Sequence, residues 1–432
     1  HCLGGGRRLC SPAMSLTGQN ALVVGGGTGM GEAIALALAA EGMHVAIAGR
    51  RQEKLDAIMA RVKAYDWFPA PANEEGFAYG MSTPVMKDIQ RYWIAGYDWR
   101  KSEEILNKYP SYKVEIDGQM IHFVHVVGEA GGRRPLLITH GWPGSVFEFW
   151  EAIAPLAFPS RYGGKAEDAF DLIIPSLPGY GFSGRPKSPI GPRGTAALWD
   201  TLMRDILKYD TYLAQGGDWG SMVTSWLGFN HGTVDGKGGC RAIHLNMVGF
   251  RPTPATPQTE AEGEWLAASQ GAMQREGAYL MQQMTKPQTL AMALMDSPVG
   301  TAAWIIEKFN GWSDLSDGGL LDTYSKDQLL TNVMIYLVND AMATSVWFYN
   351  GFAQEGGNAL PEGVRCETPT AFANFPGEPV YKPAPRSWFE RAYNLTRWTD
   401  LPRGGHFAAM EEPELYVEEI RAWGNSVTEP EG

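Results

Sequence analysis

The sequence is poor in cysteine and has no long apolar run. Its four cysteines are widely spaced and form no disulfide or metal-ligand pattern: Cys2, Cys10, Cys240 and Cys366. We therefore expect a reducing, cytoplasmic setting and no bound metal. No apolar stretch approaches the roughly 20 residues of a membrane-spanning helix. Residues 1–13 lack the apolar core of a signal peptide, and we interpret them as an unstructured leader, with Met14 as the natural start.

Charged residues are also scarce, at 19% of the chain, and their balance is acidic, with a net charge of −12. This negative balance argues against nucleic acid or an anionic membrane surface as a partner. The hydrophobic content of 44% is typical of a globular protein with a large core. A chain of 432 residues exceeds one ordinary domain, so we expect about two or three structural units.

A glycine-rich turn lies near the N-terminus. Residues 21–24 and 45–48 predict two buried strands with a helix between them. The turn that enters this helix contains three spaced glycines, Gly25, Gly29 and Gly31. Such a turn can hold a phosphate group at the helix N-terminus. The spacing resembles that of short-chain dehydrogenases. By this resemblance, Arg50 and Arg51 of this chain would suit the 2′-phosphate of NADP.

The dehydrogenase pattern is incomplete beyond this turn. That family needs a Tyr-x-x-x-Lys pair late in a continuing sheet, and the two matches, Tyr97/Lys101 and Tyr109/Lys113, come too early in the chain. A lone glycine pattern is a weak signal. We therefore predict a truncated βαβ fragment over residues 14–56 that binds no cofactor. An NADP-binding reductase module at residues 25–31 stays as the alternative from a different functional class.

The remaining chain divides into four parts. Aromatic residues are dense over residues 57–114, which we interpret as a meander that packs against another domain. A β-hairpin is predicted at 114–123, around Asp117 and Gly118. Strands then alternate with helices, which indicates a mostly parallel α/β sheet. The predicted parts are core residues 115–251, a helical cap at 252–350, and the rest of the core at 351–432.

The most informative segment is Gly216-Gly217-Asp218-Trp219-Gly220, between a predicted strand and a helix. Small residues two positions before and after a reactive side chain allow the sharp turn of a nucleophile elbow. The usual serine is replaced by Asp218. A carboxylate attacks carbon without a base, and the ester that forms must then be opened by water. The segment therefore predicts displacement at an sp³ carbon, as in epoxide opening or dehalogenation, rather than an N-cap role alone.

Water attack on an ester requires an anion hole, a base and an acid that orients the base. The backbone N–H of Trp219 is one expected donor, and that of Trp142, in His140-Gly141-Trp142-Pro143, is the other. The candidate base is His406, which lies late in the chain in a glycine-rich loop. The candidate acid is Glu378, because the alternative position, after the strand at 242–246, offers only Asn246.

Together these motifs resemble microsomal-type epoxide hydrolases over about residues 57–424. The resemblance rests on five motifs: His-Gly-Trp-Pro at 140–143, Ser-Leu-Pro-Gly-Tyr-Gly-Phe-Ser at 176–183, Gly-Gly-Asp-Trp-Gly at 216–220, Phe-Pro-x-Glu at 375–378 and Gly-Gly-His-Phe at 404–407. It implies an α/β-hydrolase fold with a helical cap inserted in the sheet. It also implies two cap tyrosines that bind the epoxide oxygen, which match Tyr279 and Tyr349. We expect His140, Pro143 and Phe407 to line the substrate pocket.

We therefore predict an enzyme that opens an apolar epoxide to a vicinal diol and needs no metal or organic cofactor. Its expected partners are the small-molecule epoxide and water, without nucleic acid or membrane, and a homodimer stays open. A haloalkane dehalogenase would share Asp218 and Trp219 but would need a halide cradle in place of the two tyrosines. A catalytically silent relative is disfavoured because every expected site residue is present. The sequence departs from the family at its front, where the dehydrogenase-like fragment stands.

Overall fold

The computed structural model describes residues 20–24, 44–48, 52–131, 134–234, 236–380 and 382–427. Strands β1 (Asn20–Val24) and β2 (His44–Ala48) occur where the sequence predicts them and pair in parallel. They form a two-stranded sheet that is separate from the large sheet. The predicted phosphate-binding glycines Gly25, Gly29 and Gly31 lie outside the described residues.

The N-terminal meander begins with three helices. They are α1 (Gln52–Lys63), α2 (Thr83–Ala95) and α3 (Trp99–Leu106). Helix α1 is continuous across the predicted boundary at 56/57, and its Ile58 and Val62 are fully buried in the main core. The boundary was placed where the composition changes, but composition does not mark the end of a helix.

Eight strands form the large sheet of the described residues. They are β3 (Ser111–Ile116), β4 (Gln119–Val126), β5 (Pro135–Thr139), β6 (Asp171–Pro175), β7 (Tyr212–Gly216), β8 (Cys240–Leu245), β9 (Cys366–Asn374) and β10 (Tyr393–Asp400). The order across the sheet is β10-β9-β8-β7-β5-β6-β4-β3, and β5 to β10 are parallel. This confirms the mostly parallel α/β sheet.

The first two strands of this sheet form the predicted hairpin. Strands β3 and β4 are antiparallel, and β4 continues the sheet antiparallel to β6. Both turn residues have left-handed backbone, with φ 50° at Asp117 and 78° at Gly118. That conformation matches the twist of a tight hairpin. The core boundary predicted at 114/115 falls inside β3.

Helices cover the sheet and a helical cap interrupts it. Helices α4 (Trp150–Ala157), α5 (Pro192–Thr201) and α6 (Trp219–His231) belong to the first half of the core. The cap contains α7 (Glu260–Glu276), α8 (Ala278–Thr285), α9 (Pro287–Asp296), α10 (Pro298–Trp312), α11 (Leu320–Thr323), α12 (Lys326–Val338), α13 (Ala341–Ser345) and α14 (Trp347–Gln354). The cap thus ends slightly beyond the predicted residue 350, at the end of α14.

The second half of the core completes the fold after the cap. It contains α15 (Arg386–Ala392), α16 (Ala408–Glu411) and α17 (Pro413–Ser426). Because the cap lies between β8 and β9, it is an insertion in the sheet, as the sequence predicts. Among the described residues, no single helix is long and apolar enough to cross a membrane, although two bent helix pairs of the cap reach that length together.

Candidate active site

The elbow joins β7 to α6 at Asp218. Its backbone has φ 48° and ψ −127°, a left-handed conformation that non-glycine residues seldom adopt. A Cβ atom on Gly220 would lie 1.9 Å from the Thr139 backbone oxygen, so only glycine lets the turn approach β5 this closely. The Asp218 side chain makes no capping hydrogen bond to α6. A helix-capping role therefore does not explain this residue.

The two oxygens of the Asp218 carboxylate meet different partners. The Trp142 backbone N–H donates to Oδ1 at 2.7 Å, while Oδ2 lies 3.4 Å from His406 Nε2. Trp219 is the first residue of α6, and such a residue has no intrahelical acceptor for its N–H. The donors predicted for the anion hole are thus at the elbow, one of them in contact with the carboxylate.

His406 connects Asp218 to Glu378. Its Nδ1 lies 2.5 Å from Glu378 Oε2, and both side chains are buried. Burial alone would lower the pKa of His406, but the charges of Glu378 and Asp218 outweigh it and raise that pKa well above its usual value. The imidazole is therefore poised as a cation between two carboxylates.

Backbone contacts hold Glu378 and His406 in place. The Val380 N–H donates to Glu378 Oε1 at 3.0 Å, which leaves Oε2 for His406. The His406 backbone N–H donates to the Trp312 carbonyl of the cap at 3.1 Å. Asn246, the other position considered for the acid, accepts a hydrogen bond from Gln215 Nε2 at 3.1 Å.

Tyr279 of α8 and Tyr349 of α14 lie in the cap side of the site. Both are buried, and their ring centroids are 6.0 Å apart. The Tyr279 ring stacks on Trp142, with centroids 5.3 Å apart and planes at 10°. The Tyr349 ring meets Trp219 edge-on at 4.6 Å. The two tyrosines that come from the family resemblance therefore lie beside the two residues of the expected anion hole.

His140 joins two loops of the core. The Leu177 N–H donates to His140 Nε2 at 3.2 Å, so Nδ1 carries the proton and donates to the Gly141 carbonyl at 2.9 Å. Burial lowers the pKa of His140 to about 4, which keeps the ring neutral. Both ring nitrogens thus form hydrogen bonds with the backbone. His140, which was predicted to line the pocket, connects the two loops instead.

The other two predicted pocket residues have distinct surroundings. The Pro143 carbonyl accepts a hydrogen bond from Asn332 Nδ2 of α12 at 2.8 Å. The Phe407 ring stacks on Phe309 of α10, with centroids 4.0 Å apart, and lines the cavity that contains Asp218. Phe407 therefore contributes to the site, whereas Pro143 contributes to the contact between the cap and the core.

Sequence reasoning missed Glu411, which fixes the loop that carries His406. This carboxylate accepts hydrogen bonds from the N–H groups of Gly405 at 2.8 Å, Phe407 at 2.7 Å and Asp314 at 2.8 Å. Burial raises the pKa of Glu411 to about 7, although the three donors act in the opposite direction. The sequence offered one signal for this role, because Glu411 lies five residues after His406 in a segment of mostly small and apolar residues.

Sequence reasoning also missed Lys308 of α10. Its side chain is only 6% exposed, and Nζ lies 4.8 Å from the centroid of the Tyr279 ring. Glu307 pairs with this ammonium at 2.6 Å. A buried, paired cation therefore lies beside one of the cap tyrosines. No motif marks it, because charged residues are ordinary on helices and only the fold buries this one.

The residues that could serve a cofactor or a metal are few. Within the described ranges, no group of three or more His, Cys, Asp or Glu side chains is placed to hold a metal ion. The hydroxyl of Tyr97 pairs with Ser102 Oγ at 3.0 Å, and burial raises the pKa of Tyr97 to about 12. Tyr109 packs edge-on against Trp150, with ring centroids 5.3 Å apart. Both candidate dehydrogenase tyrosines thus have packing roles in the meander.

Comparisons with known families cover most of the chain. The family model for the epoxide hydrolase N terminus matches residues 46–149, and that for the α/β hydrolase fold matches residues 134–288. A short-chain dehydrogenase model matches residues 19–72 only. The dehydrogenase-like fragment is thus a weak and local match, and α1 lies in the overlap of two family models.

Named relatives and solved structures agree with this assignment. The chain is 37% identical over 398 residues to epoxide hydrolase 1 of Sus scrofa, which covers 85% of this chain and 86% of that protein. It is 38% identical over 380 residues to epoxide hydrolase 1 of Oryctolagus cuniculus, covering 81% and 82%. The structure of Aspergillus niger epoxide hydrolase superposes with a TM-score of 0.75 at 29% identity, covering 88% and 95%. The chain therefore belongs to the epoxide hydrolases of the α/β-hydrolase fold.

Proposed function

We propose that this enzyme opens an apolar epoxide to a vicinal diol through a covalent ester on Asp218. The observation that carries the proposal is the division of the carboxylate, with Oδ1 on the Trp142 N–H and Oδ2 beside His406. Oδ1 is in position to become the carbonyl oxygen of an ester, and Oδ2 is the attacking atom. No base is needed for this attack because a carboxylate is already ionised.

Ring opening requires an acid on the side of the epoxide oxygen. In the first step a bond forms between Asp218 Oδ2 and the less hindered epoxide carbon, and the bond from that carbon to the epoxide oxygen breaks. Tyr279 and Tyr349 bind that oxygen, and one hydroxyl donates its proton to the alkoxide. Their burial in the cap, opposite the elbow, supports this role. The product of the step is a hydroxyalkyl ester of the enzyme.

Ester hydrolysis requires the neutral form of His406. Once Asp218 is esterified, its negative charge is gone, so one of the two charges that raise the pKa of His406 is lost. The imidazolium gives its proton to the tyrosinate that ring opening left, and the neutral imidazole then accepts a proton from water, whose oxygen attacks the ester carbonyl. The N–H groups of Trp142 and Trp219 stabilise the negative charge on Oδ1. Collapse of this intermediate passes the proton from His406 to the departing diol oxygen. The new carboxylic acid of Asp218 then gives its proton to His406, which restores the carboxylate and the imidazolium.

The substrate class follows from the walls of the site. Trp142, Trp219, Tyr279 and Tyr349 present aromatic surface around the nucleophile, and Phe348 meets Trp219 with ring centroids 5.3 Å apart. Such a wall favours aryl, alkyl or terpenoid epoxides over small polar ones. A dehalogenase would need donors that cradle a halide, and two tyrosine hydroxyls suit an epoxide oxygen better.

A single-turnover reaction in isotopically labelled water tests the covalent step. With enzyme in excess, the diol of the first turnover should carry an oxygen from the carboxylate of Asp218, and the label should appear in Asp218. The variant His406→Gln should form the ester and accumulate it, as a mass increase equal to that of the substrate. Label in the first-turnover diol, or normal turnover by His406→Gln, would refute the mechanism. The variant Asp218→Ala is the inactive control.

A further inference from the structure

A small cavity lies beside the nucleophile, on the side of His406. It has a volume of about 20 Å³, which is room for about one water molecule. Its lining residues come from the ends of β5 and β7, the loops after β5 and β8, the elbow, the turn Val146–Phe149, the His406 loop with α16, and α17. The polar or ionisable side chains among them are Thr139, Glu148, Gln215, Asp218, Asn246, His406 and Tyr416. A buried water needs several polar partners, so these side chains decide where it binds.

Most of these polar side chains are engaged with one another. The Tyr416 hydroxyl donates to Gln215 Oε1 at 2.7 Å, and Gln215 Nε2 donates to Asn246 Oδ1 at 3.1 Å. Thr139 Oγ1 accepts from Trp199 Nε1 at 3.1 Å. Glu148 also lines this cavity but takes no part in that hydrogen-bonded chain; its carboxyl interacts with the Ser145 backbone.

The local fold directs Glu148 to this position. It belongs to a short 3-10 turn, Val146–Phe149, which follows the loop of Trp142. A Cβ atom on Gly144 would lie 1.3 Å from Glu148 Oε1, so the carboxyl occupies space that only glycine leaves open. The cap fixes the base of this turn, because Tyr336 of α12 donates to the Gly144 carbonyl at 2.5 Å.

The charges around Glu148 also tie it to the reaction. Burial raises the pKa of Glu148 to about 8, His406 acts to lower it and Asp218 acts to raise it. The charge of Glu148 also acts on the phenols of Tyr324 and Tyr336 in the cap and of Tyr416 in α17, and contributes to raising their pKa values. A raised pKa favours the protonated form of this carboxyl, which both donates and accepts a hydrogen bond.

We propose that Glu148 binds the water molecule that hydrolyses the ester and holds it between its carboxyl group and His406 Nε2. This inference rests on the proposed covalent mechanism. Glu148 transfers no proton: His406 accepts the proton of the water, the oxygen attacks the ester carbonyl, and Glu148 fixes the direction of attack by a hydrogen bond. Holding the water in a near-attack position raises the rate of ester hydrolysis.

Separate measurement of the two half-reactions tests this role. Under single turnover, ester formation and its decay are followed by intrinsic tryptophan fluorescence and by quenched mass analysis. Glu148→Ala should form the ester at close to the wild-type rate and hydrolyse it about 10- to 100-fold more slowly, the effect of one lost hydrogen bond in a closed site. Glu148→Gln should recover most of the rate, because the amide also donates and accepts. The exposed Glu151→Ala is the matched control and should change neither step.

The inference would be overturned if Glu148→Ala hydrolysed the ester at the wild-type rate. It would also be overturned if Glu148→Ala slowed both half-reactions equally and Glu148→Gln did not restore the rates. Gly144→Ala gives a second test, because the added methyl would displace the Glu148 carboxyl. It should reproduce the slow hydrolysis, and the double variant should be no slower than either single one; additive losses would contradict a shared water. If the wild-type enzyme forms no ester, the covalent mechanism itself fails, and that outcome is distinct from an ester that Glu148→Ala hydrolyses normally.

Discussion

At the residue scale, the proposed mechanism divides the reaction at the Asp218 carboxylate into ester formation and ester hydrolysis. Asp218 Oδ2, which lies beside His406 Nε2, is the proposed attacking atom, and Oδ1 lies on the Trp142 N–H, where the negative charge lost on esterification returns during hydrolysis. Residues on the cap side should therefore affect ester formation, and residues on the His406 side should affect ester hydrolysis. Variants on the cap side should therefore slow ester formation and leave ester hydrolysis unchanged, and variants on the His406 side should do the reverse.

The cap tyrosines provide the first test of this division. Tyr279→Phe and Tyr349→Phe should each slow ester formation, and the double variant should slow it by about 10²- to 10⁴-fold, the range of general acid catalysis. Ester hydrolysis should be unchanged, because the acid is not needed in that step. Stopped-flow tryptophan fluorescence under single turnover measures both rates. Tyr92→Phe removes a meander hydroxyl that donates to Asp327 of α12 and should leave both rates unchanged. Loss of hydrolysis in the double variant would contradict the assignment.

The residues of the site differ in how far the sequence reveals them. Asp218 and the Trp142 loop are readable because a strained turn and an anion hole require small residues at fixed spacing. His140 was readable as a motif member but not as a loop-fixing residue, since its role depends on Leu177, a partner in another loop. Glu148 was not readable, because its carboxyl reaches the site only across the space that Gly144 leaves open.

At the scale of elements, one ion pair fastens the last helix to the sheet. Glu419 of α17 binds the Arg397 guanidinium of β10 with both oxygens, at 2.9 and 2.7 Å, and accepts from Thr399 Oγ1 at 3.0 Å. Burial alone would raise the pKa of Glu419, but Arg397 and the nearby His244 outweigh it and lower that pKa to about 2. The carboxylate is thus more stable in the folded chain than in the unfolded one.

This shift predicts a pH-dependent contribution to stability. A depressed pKa in the folded state stabilises the fold above the unfolded value of about 4.3, and the contribution is lost as the pH falls from there towards 2. Glu419→Gln should therefore lower the free energy of unfolding at pH 7 by up to about 3 kcal/mol, and the difference from wild type should shrink below pH 4. Urea unfolding at several pH values measures it. The exposed neighbour variant Glu418→Gln should show little effect at any pH, and a constant difference for Glu419→Gln would refute the linkage.

The elements themselves were predictable where their pattern is local. Most of the parallel strands were predicted from short buried runs, and the cap from the break in their alternation, whereas β10 was not predicted. Three boundaries were misplaced, at 56/57, at 114/115 and at 350, and each falls within a regular element. Aromatic density and composition report where a chain packs, whereas an element ends where its backbone hydrogen bonds end, and those depend on partners far along the sequence.

At the scale of the whole molecule, helix α1 connects the N-terminal fragment to the hydrolase. This helix follows β2 and lies within the dehydrogenase-like match, residues 19–72. Its contacts nevertheless go to the hydrolase cap: Arg61 donates to the Met295 carbonyl at 3.1 Å, and Lys54 pairs with Asp340. A helix that serves the cap in this way is not available to complete a second nucleotide-binding sheet.

A cofactor titration tests whether the front fragment binds a dinucleotide. Such sites lie in the crevice of a sheet of several parallel strands, whereas β1 and β2 pair only with each other among the described strands. We therefore expect no saturable rise in Tm with NADPH or NADH, although a ligand at 100 times its Kd would stabilise the fold by about 2.7 kcal/mol. A hydrolysis product of the proposed reaction, at the same concentrations, is the comparison for specific stabilisation. Saturable stabilisation by NADPH that Arg50→Ala and Arg51→Ala abolish would instead establish a nucleotide site, and the chain would then combine an epoxide hydrolase with a second binding function.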